Sequence, residues 1–359
     1  MWNPVDGLKR YKYQVAINWT MGREKRDKAK DMGGYDVVTV GSGTLDVFVD
    51  TESKILKEKH KNKKPTEMIA YPLGSKLLIE KLKFEIGGGG TNTAVAFSRM
   101  GLKTGWIGSI GLCEHSENII DYMRKEKVDF LGRRGKGRAG FSVILDSKDN
   151  DRTILAFKGE NNNLSMKDLK RSIISKTKWM YFCSMVAKSF TTQKRLAKFA
   201  HNNRIRLAFN PSSYQARLGI RKLRSILRYT NILILNLEEA ELLTSKRDMV
   251  EMFCEIHKNG PNIVIITDGR HGAYCSDGIK TYKVHTQKTR IKETTGAGDA
   301  FAATFLGAFI RTEDVRKALR IATVNAQSVV QDYGAKNVLL DWKTLERKEK
   351  RRPVKITEI

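Results

Sequence analysis

The sequence predicts an α/β fold, with a central, mostly parallel sheet flanked by helices and a small β appendage. Three observations carry this reading. Short apolar runs (KWMYFCSM, IRLAFNP, ILILN, NIVIITDG) alternate with helix-length segments through the second half of the chain. That alternation implies right-handed βαβ crossovers and a sheet covered on both faces. The first apolar run, YDVVTVG, ends in a glycine turn, as a buried strand does. Residues 47–86 and 139–158 instead hold short alternating stretches, the mark of exposed strands outside the main layer.

The elements follow in order. Residues 1–34 are polar, rich in Lys and Arg, and without a sustained period. They read as a disordered basic extension or as a start placed too early, with Met21 and Met32 ahead of the first strand. Asp6, Glu24, Asp27 and Asp31 are out of place in a transit sequence. An α/β domain spans 35–345. VFVDT and KLLIEKLKFEI surround a lysine-rich loop, and TNTAVAFSRMG reads as a helix stopped by Gly101. TGWIGSIG is the next strand, and FSVILDSKDNDRTILAFKG is a hairpin turning at DSKDND. Helices are expected over 190–202, 215–228 and 237–258, then in FAATFLGAFIR and VRKALRIATVNAQSVVQ. Residues 346–359 read as a basic tail.

Composition excludes several classes. At 359 residues and 40% hydrophobic, the chain can bury a large core. It contains no run of about 18 apolar residues and no apolar segment of signal-peptide type, so a cytoplasmic protein without a membrane partner is expected. The four cysteines, Cys113, Cys183, Cys254 and Cys275, form no CxxC pair, and the six histidines show no ligand spacing. Neither a disulfide framework nor a transition-metal site is indicated. A formal charge of +27 raises nucleic acid as a partner. The denser clusters (KEKHKNKK, RRGKGR, ERKEKRR) lack interleaved aromatic residues, however, so a stacking platform is absent and a solvated basic surface is the simpler account.

The chemistry concentrates in TTGAGD, immediately before an apolar helix. A helix beginning near Gly298 leaves its first N–H groups unpaired and partly positive. Gly296, Ala297 and Gly298 carry almost no side chain, so phosphate oxygens can approach those groups. Asp299, in the first turn, can then accept a proton from an attacking alcohol. A plain helix cap with a glycine turn is the competing account. GSGTLD lacks the third glycine of a dinucleotide fingerprint, and no GxxxxGK[ST] loop occurs. Asp46 and Asn92 offer an acceptor and a two-way amide to sugar hydroxyls, although a turn and an N-cap would explain them too. Asn236 and Glu239, three apart at a helix start, can share a face and suit hydrated magnesium, or can form a capping box.

TTGAGDAF and IGGGGTNTAVAFSRMGLKTGWIG resemble the C-terminal and N-terminal signatures of the ribokinase-like, or PfkB, sugar kinases, and the likeness runs over roughly 35–340. The resemblance implies an ATP-dependent sugar kinase that phosphorylates a primary hydroxyl. It makes Asp299 the base and Gly296, Ala297 and Gly298 the anion hole. It places Asp46, Gly87, Gly88 and Asn92 at the sugar, with Asn210, Asn236, Thr267, Gly269, Gly272 and Asn325 on the nucleotide side. Glu239 would organise magnesium through water. The two exposed strand regions would be a lid that closes over the sugar and pairs with a second subunit's lid. Three features depart from the family. Glu293 stands where an aspartate of a monovalent-cation loop is common, which puts potassium activation in question. GLCEHSENI lacks a common acidic and glycine pattern, and lysine-rich 52–64 looks inserted. A nucleoside, adenosine-like kinase of the same family is the alternative, and a basic nucleic-acid-binding protein on this scaffold is a third reading.

Overall fold

The computed structural model describes residues 34–51, 54–58, 66–146, 152–287, 289, 291–292, 294–332 and 334–359. Within them the first strands are β1 (Val37–Val40), β2 (Thr44–Thr51), β3 (Lys54–Glu58), β4 (Thr66–Ala70), β5 (Ile79–Gly87) and β6 (Thr104–Ile107). Then come β7 (Ser109–Ile110), β8 (Val128–Phe130), β9 (Arg133–Arg134), β10 (Gly140–Asp146), β11 (Arg152–Phe157) and β12 (Trp179–Cys183). The series ends with β13 (Arg206–Asn210), β14 (Ile232–Asn236), β15 (Ile263–Thr267), β16 (Ala273–Ser276), β17 (Thr281–Val284) and β18 (Ile356–Glu358). The main helices are α1 (Gly89–Arg99), α2 (Glu114–Lys125), α3 (Ala187–Asn202), α4 (Ser213–Ala216) and α5 (Gly219–Leu227). They continue with α6 (Leu237–Thr244), α7 (Met249–Lys258), α8 (Ala297–Thr312), α9 (Val315–Val329) and α10 (Trp342–Arg351).

The main sheet has the order β18-β17-β16-β15-β14-β13-β12-β1-β6-β8. From β8 to β15 every neighbour is parallel, and β16, β17 and β18 extend that edge antiparallel. Alternation along one strand shows why the layer is covered twice. In β12, Trp179, Tyr181 and Cys183 join a core with α1, α8 and α9, whereas Met180 and Phe182 join a core with α3, α5 and α7. Side chains alternate faces with period two, so a continuous apolar run needs helices on both sides. The fold is therefore the α/β architecture that the apolar runs predict.

The two exposed regions meet in a second sheet of order β11-β10-β2-β5. β10 runs parallel to β2, while β2 and β5, and β10 and β11, are antiparallel. β3 and β4 form a separate hairpin whose connection lies outside the described residues, as does much of lysine-rich 52–64. The expectations for the 1–34 extension, except Gly34, for the DSKDND turn beyond Asp146 and for Glu293 also fall outside them.

Residues 346–359 are not a free tail. They finish α10 and supply β18, which pairs with β17, and Leu345 and Val354 are fully buried. The segment reads as a tail because its charges occupy the solvent side of a helix that buries a single leucine. The edge strands β16 and β17 escaped the reading because four residues each are too few to establish a period. No helix among the described residues is long and apolar enough to cross a membrane.

Candidate active site

The starts of several helices, those of α6 and α8 among them, border one cleft of about 420 Å³, which lies beyond the carboxyl ends of β12 to β15. α8 begins after Gly296, whose φ of 79° is left-handed and whose Cβ would lie 2.2 Å from the Cβ of Ala335. Only glycine fits that turn. Gly298 differs: a Cβ there would meet nothing within 4 Å, and the residue is exposed on the cleft wall. The Ala297 amide donates to the Thr294 carbonyl oxygen at 3.3 Å, whereas the helix start at Gly298 borders open space, where an anion can approach it.

Asp299 sits in this first turn without capping the helix. Its Oδ2 accepts a hydrogen bond from Asn92 Nδ2 at 2.9 Å. Burial pushes the Asp299 carboxyl above the usual carboxylate range; the Asn92 bond and the Lys336 ammonium oppose the rise, and Asp46 adds to it. Asn92 is not an N-cap either. α1 is capped by Gly88, at φ 95°, and Asn92 is carried into the helix behind it. A Cβ on Gly88 would lie 2.5 Å from the Ser42 carbonyl oxygen, and one on Gly87 would lie 1.7 Å from Asp46 Oδ2. These glycines let the α1 turn close against the GSGTLD segment. Asp46 is mid-strand in β2, not in a turn, and its Oδ1 accepts from Thr44 Oγ1 at 2.8 Å.

The opposite wall is built from strand ends. Asn210, Asn236 and Thr267 close β13, β14 and β15 and line the cleft together with Glu239. Asn236 and Glu239 do form a capping box: the Glu239 amide donates to Asn236 Oδ1 at 2.8 Å and the Asn236 amide to Glu239 Oε2 at 3.0 Å. Burial raises the Glu239 carboxyl to about 7. Gly269 and Gly272 shape the turn after β15 behind this wall, and a Cβ on Gly272 would lie 2.0 Å from the Val284 carbonyl oxygen.

Asn325 must be corrected. It is fully buried between α8 and the segment before α10, donating to Thr304 Oγ1 at 2.7 Å and accepting from the Leu340 amide at 3.1 Å. Both ends of its amide are engaged inside the core, so it holds packing and not nucleotide.

Three residues here were not singled out from the sequence. Lys158, just after β11, lines the cleft with its ammonium 5.4 Å from the ring centre of Tyr214. Asn161 clamps the Gly43 backbone, with Nδ2 2.9 Å from its carbonyl oxygen and Oδ1 3.2 Å from its amide. The run GENNNL directly after the hairpin was the available signal for Asn161. Lys336 is 3% exposed beside Asn92, and no sequence pattern marks it.

Comparison with known proteins decides the family. The sequence model described as pfkB family carbohydrate kinase matches residues 63–342. The chain belongs to the pfkB family. This pfkB-family protein is 28% identical over 253 residues to an uncharacterized sugar kinase of Archaeoglobus fulgidus, covering 68% of this chain and 98% of that one. It is 25% identical over 280 residues to a 5-dehydro-2-deoxygluconokinase of Halalkalibacterium halodurans, covering 73% and 84%. Its fold is similar to a putative ribokinase II from E. coli solved with ATP and magnesium, with TM-score 0.74, 17% identity and coverage of 89% and 100%. The pfkB protein is thus a sugar kinase, a phosphotransferase acting on a sugar hydroxyl, with a ribokinase-like fold. ATP and magnesium are expected of the family.

The donor set suits that metal. Among the described residues no three His, Cys, Asp or Glu groups are close enough to hold an ion by themselves. Magnesium keeps several waters and needs only one or two carboxylates beside phosphate, a role that Glu239 on the cleft wall can fill.

Proposed function

We propose that this kinase transfers the γ-phosphate of ATP to a primary hydroxyl of a sugar or sugar derivative, with Asp299 as general base. The observation that carries this reading is the pairing of Asp299, held by Asn92 and not by the helix backbone, with the open N-terminus at Gly298. A hydroxyl beside Asp299 would lose its proton to the carboxylate as its oxygen bonds to the γ-phosphorus. The bond from that phosphorus to the bridging oxygen breaks, and ADP leaves with the electron pair. A carboxyl whose pKa burial has raised is a better proton acceptor at neutral pH than an ordinary one. The amides at Gly296 and Gly298 would hold the charge on the phosphate oxygens, joined by that of Ala297 once it leaves the Thr294 carbonyl oxygen.

Asp46 and Asn92, placed by Gly87 and Gly88, belong to the sugar side in this reading. Asn210, Asn236 and Thr267 face nucleotide, with Gly269 and Gly272 shaping the turn behind Thr267. Glu239 would hold magnesium through water, and the ion would neutralise charge on the phosphates. Among the described wall residues Lys158 is the cationic side chain, which favours an acidic sugar as acceptor. ADP release from ATP and magnesium, measured over pentoses, hexoses, sugar acids and nucleosides, tests the assignment. Fastest turnover of a sugar acid supports it, and turnover confined to nucleosides overturns it.

The lid sheet supports pairing with a second copy. Phe84, Val47, Val143 and Leu155 stand side by side across its four strands on one face, with Phe84 57% and Leu155 56% exposed at its two edges and Val47 buried between them. A shared apolar face is a common route to a symmetric dimer. Sedimentation equilibrium of the parent and of Phe84→Asp checks this, with a dimer expected only for the parent.

A further inference from the structure

Lys336 follows the Gly334–Ala335 turn and is 3% exposed. Its Nζ donates to Asn92 Oδ1 at 2.7 Å and to the Ile86 carbonyl oxygen at the end of the lid strand β5. The backbone of the same turn lies against the anion-hole side, where Ala335 occupies the space that a Cβ on Gly296 would need. An ammonium has three donors and no acceptor. The Asn92 amide can therefore meet it only through Oδ1, which leaves Nδ2 to face Asp299, as observed at 2.9 Å. The flipped amide would set its NH₂ against an ammonium and its oxygen against a carboxylate.

We propose that Lys336 is a positioning residue for the catalytic carboxylate: its ammonium fixes the Asn92 amide so that Asn92 donates to Asp299, and its charge offsets that of Asp46. Lys336 acquires this role only if Asp299 is the base, as proposed above. The groups that bear on its ammonium are Asp46 from β2, Asp299 from α8, Glu85 from β5 and Glu126 after α2, with the Tyr122 ring centre 5.6 Å away. Glu126 is already paired to Arg99 at 2.6 Å, and Glu85 to Lys83 at 2.7 Å. The two carboxylates left to the Lys336 charge are those placed at the acceptor and at the base. Burial lowers the lysine to about 8, so it is charged at neutral pH.

The test compares the parent with Lys336→Met and Lys336→Gln, each carrying ¹³C at aspartate carboxyls and titrated without substrate. Loss of one resonance in Asp299→Asn identifies Asp299. Removing the charge should make the Asp299 carboxyl titrate about one pH unit higher or more in both variants. With ATP, magnesium and the fastest acceptor of the panel, the acid limb of kcat should move the same way, lowering kcat about tenfold below the limb. KM for ATP should change less. A lysine that merely packs would lower the melting temperature and leave the Asp299 titration in place. If Lys336→Met does not fold, Lys336→Gln, which retains a donor for Asn92 and Ile86, gives the same readout. An Asp299 titration superimposable on the parent's in a folded variant overturns the proposal. Should the parent phosphorylate no acceptor, the kinase chemistry proposed above fails and the catalytic side of the Lys336 role with it, while the carboxyl titration still decides whether Lys336 sets the Asp299 carboxyl.

Discussion

The N-termini of α1 and α8 both follow a glycine with positive φ, 95° at Gly88 and 79° at Gly296, and neither cap carries a side-chain hydrogen bond. Yet they serve opposite ends. At α1 the amides of Gly90 and Thr91 donate to the Ser42 carbonyl oxygen at 3.0 and 3.4 Å, and a Cβ on Gly90 would lie 2.5 Å from the Gly41 carbonyl carbon. That terminus is filled by the protein's own backbone. At α8 the space beside Gly298 is open. A glycine-rich helix start thus means close packing in one case and access in the other, and only the neighbours tell which.

The sharpest way to break this contrast is Asp299→Asn. If α8 is the reactive terminus, kcat should fall by about 10²- to 10⁴-fold, the usual cost of losing a general base. Asparagine can still accept from Asn92, so the melting temperature should hold, and ATP affinity should change less than about tenfold. Measuring kcat and melting temperature beside the parent decides it. Parental turnover in the variant would return Asp299 to a mere first-turn acid.

Alanine at the two glycine starts sharpens the comparison further. Gly298→Ala puts a methyl into the cleft without touching protein, so kcat/KM for ATP should drop about 10- to 100-fold through misplaced phosphate. Stability should stay level or rise by up to about 1 kcal/mol, because alanine suits a helix better than glycine. Gly90→Ala should do the reverse to the fold, costing about 1–3 kcal/mol by overpacking against Gly41. Urea unfolding of both variants measures the difference. Equal destabilisation by the two would erase the distinction between packing and access.

The same contrast explains what the sequence made legible. The alternation of apolar runs and helices announces the double-covered sheet, because a parallel strand must bury both faces. TTGAGD is legible because small residues before a carboxylate are costly unless something approaches them. Asn325 misled for the converse reason: an asparagine on an amphipathic helix looks the same whether its amide meets a ligand or, as here, Thr304 and Leu340. Lys336 carried no local pattern at all. Its place depends on a turn more than two hundred residues from Asn92 in sequence, a relation that only the fold creates.

Glu239, on the wall facing α8, gives the smallest expected effect and a test with a definite sign. Its carboxyl is raised from 4.5 to about 7, chiefly by burial, so the ligand-free folded protein holds this proton more tightly than the unfolded chain does. The resulting stabilisation is fully present below about 4.5 and is lost as pH rises through about 7. Glu239→Gln removes the titration while keeping an acceptor for the Asn236 amide, so the capping box survives. Relative to the parent, the variant should therefore gain stability between pH 5 and pH 8, on the order of 2 kcal/mol. Added magnesium and ATP should reverse the order at pH 8, since a carboxylate that binds the hydrated ion stabilises only the parent. Unfolding free energies at the two pH values, with and without magnesium and ATP, supply the check. A variant whose offset from the parent is the same at pH 5 and pH 8 would show that Glu239 is already ionised across this range, and that the wall opposite α8 is as wet as the cleft mouth.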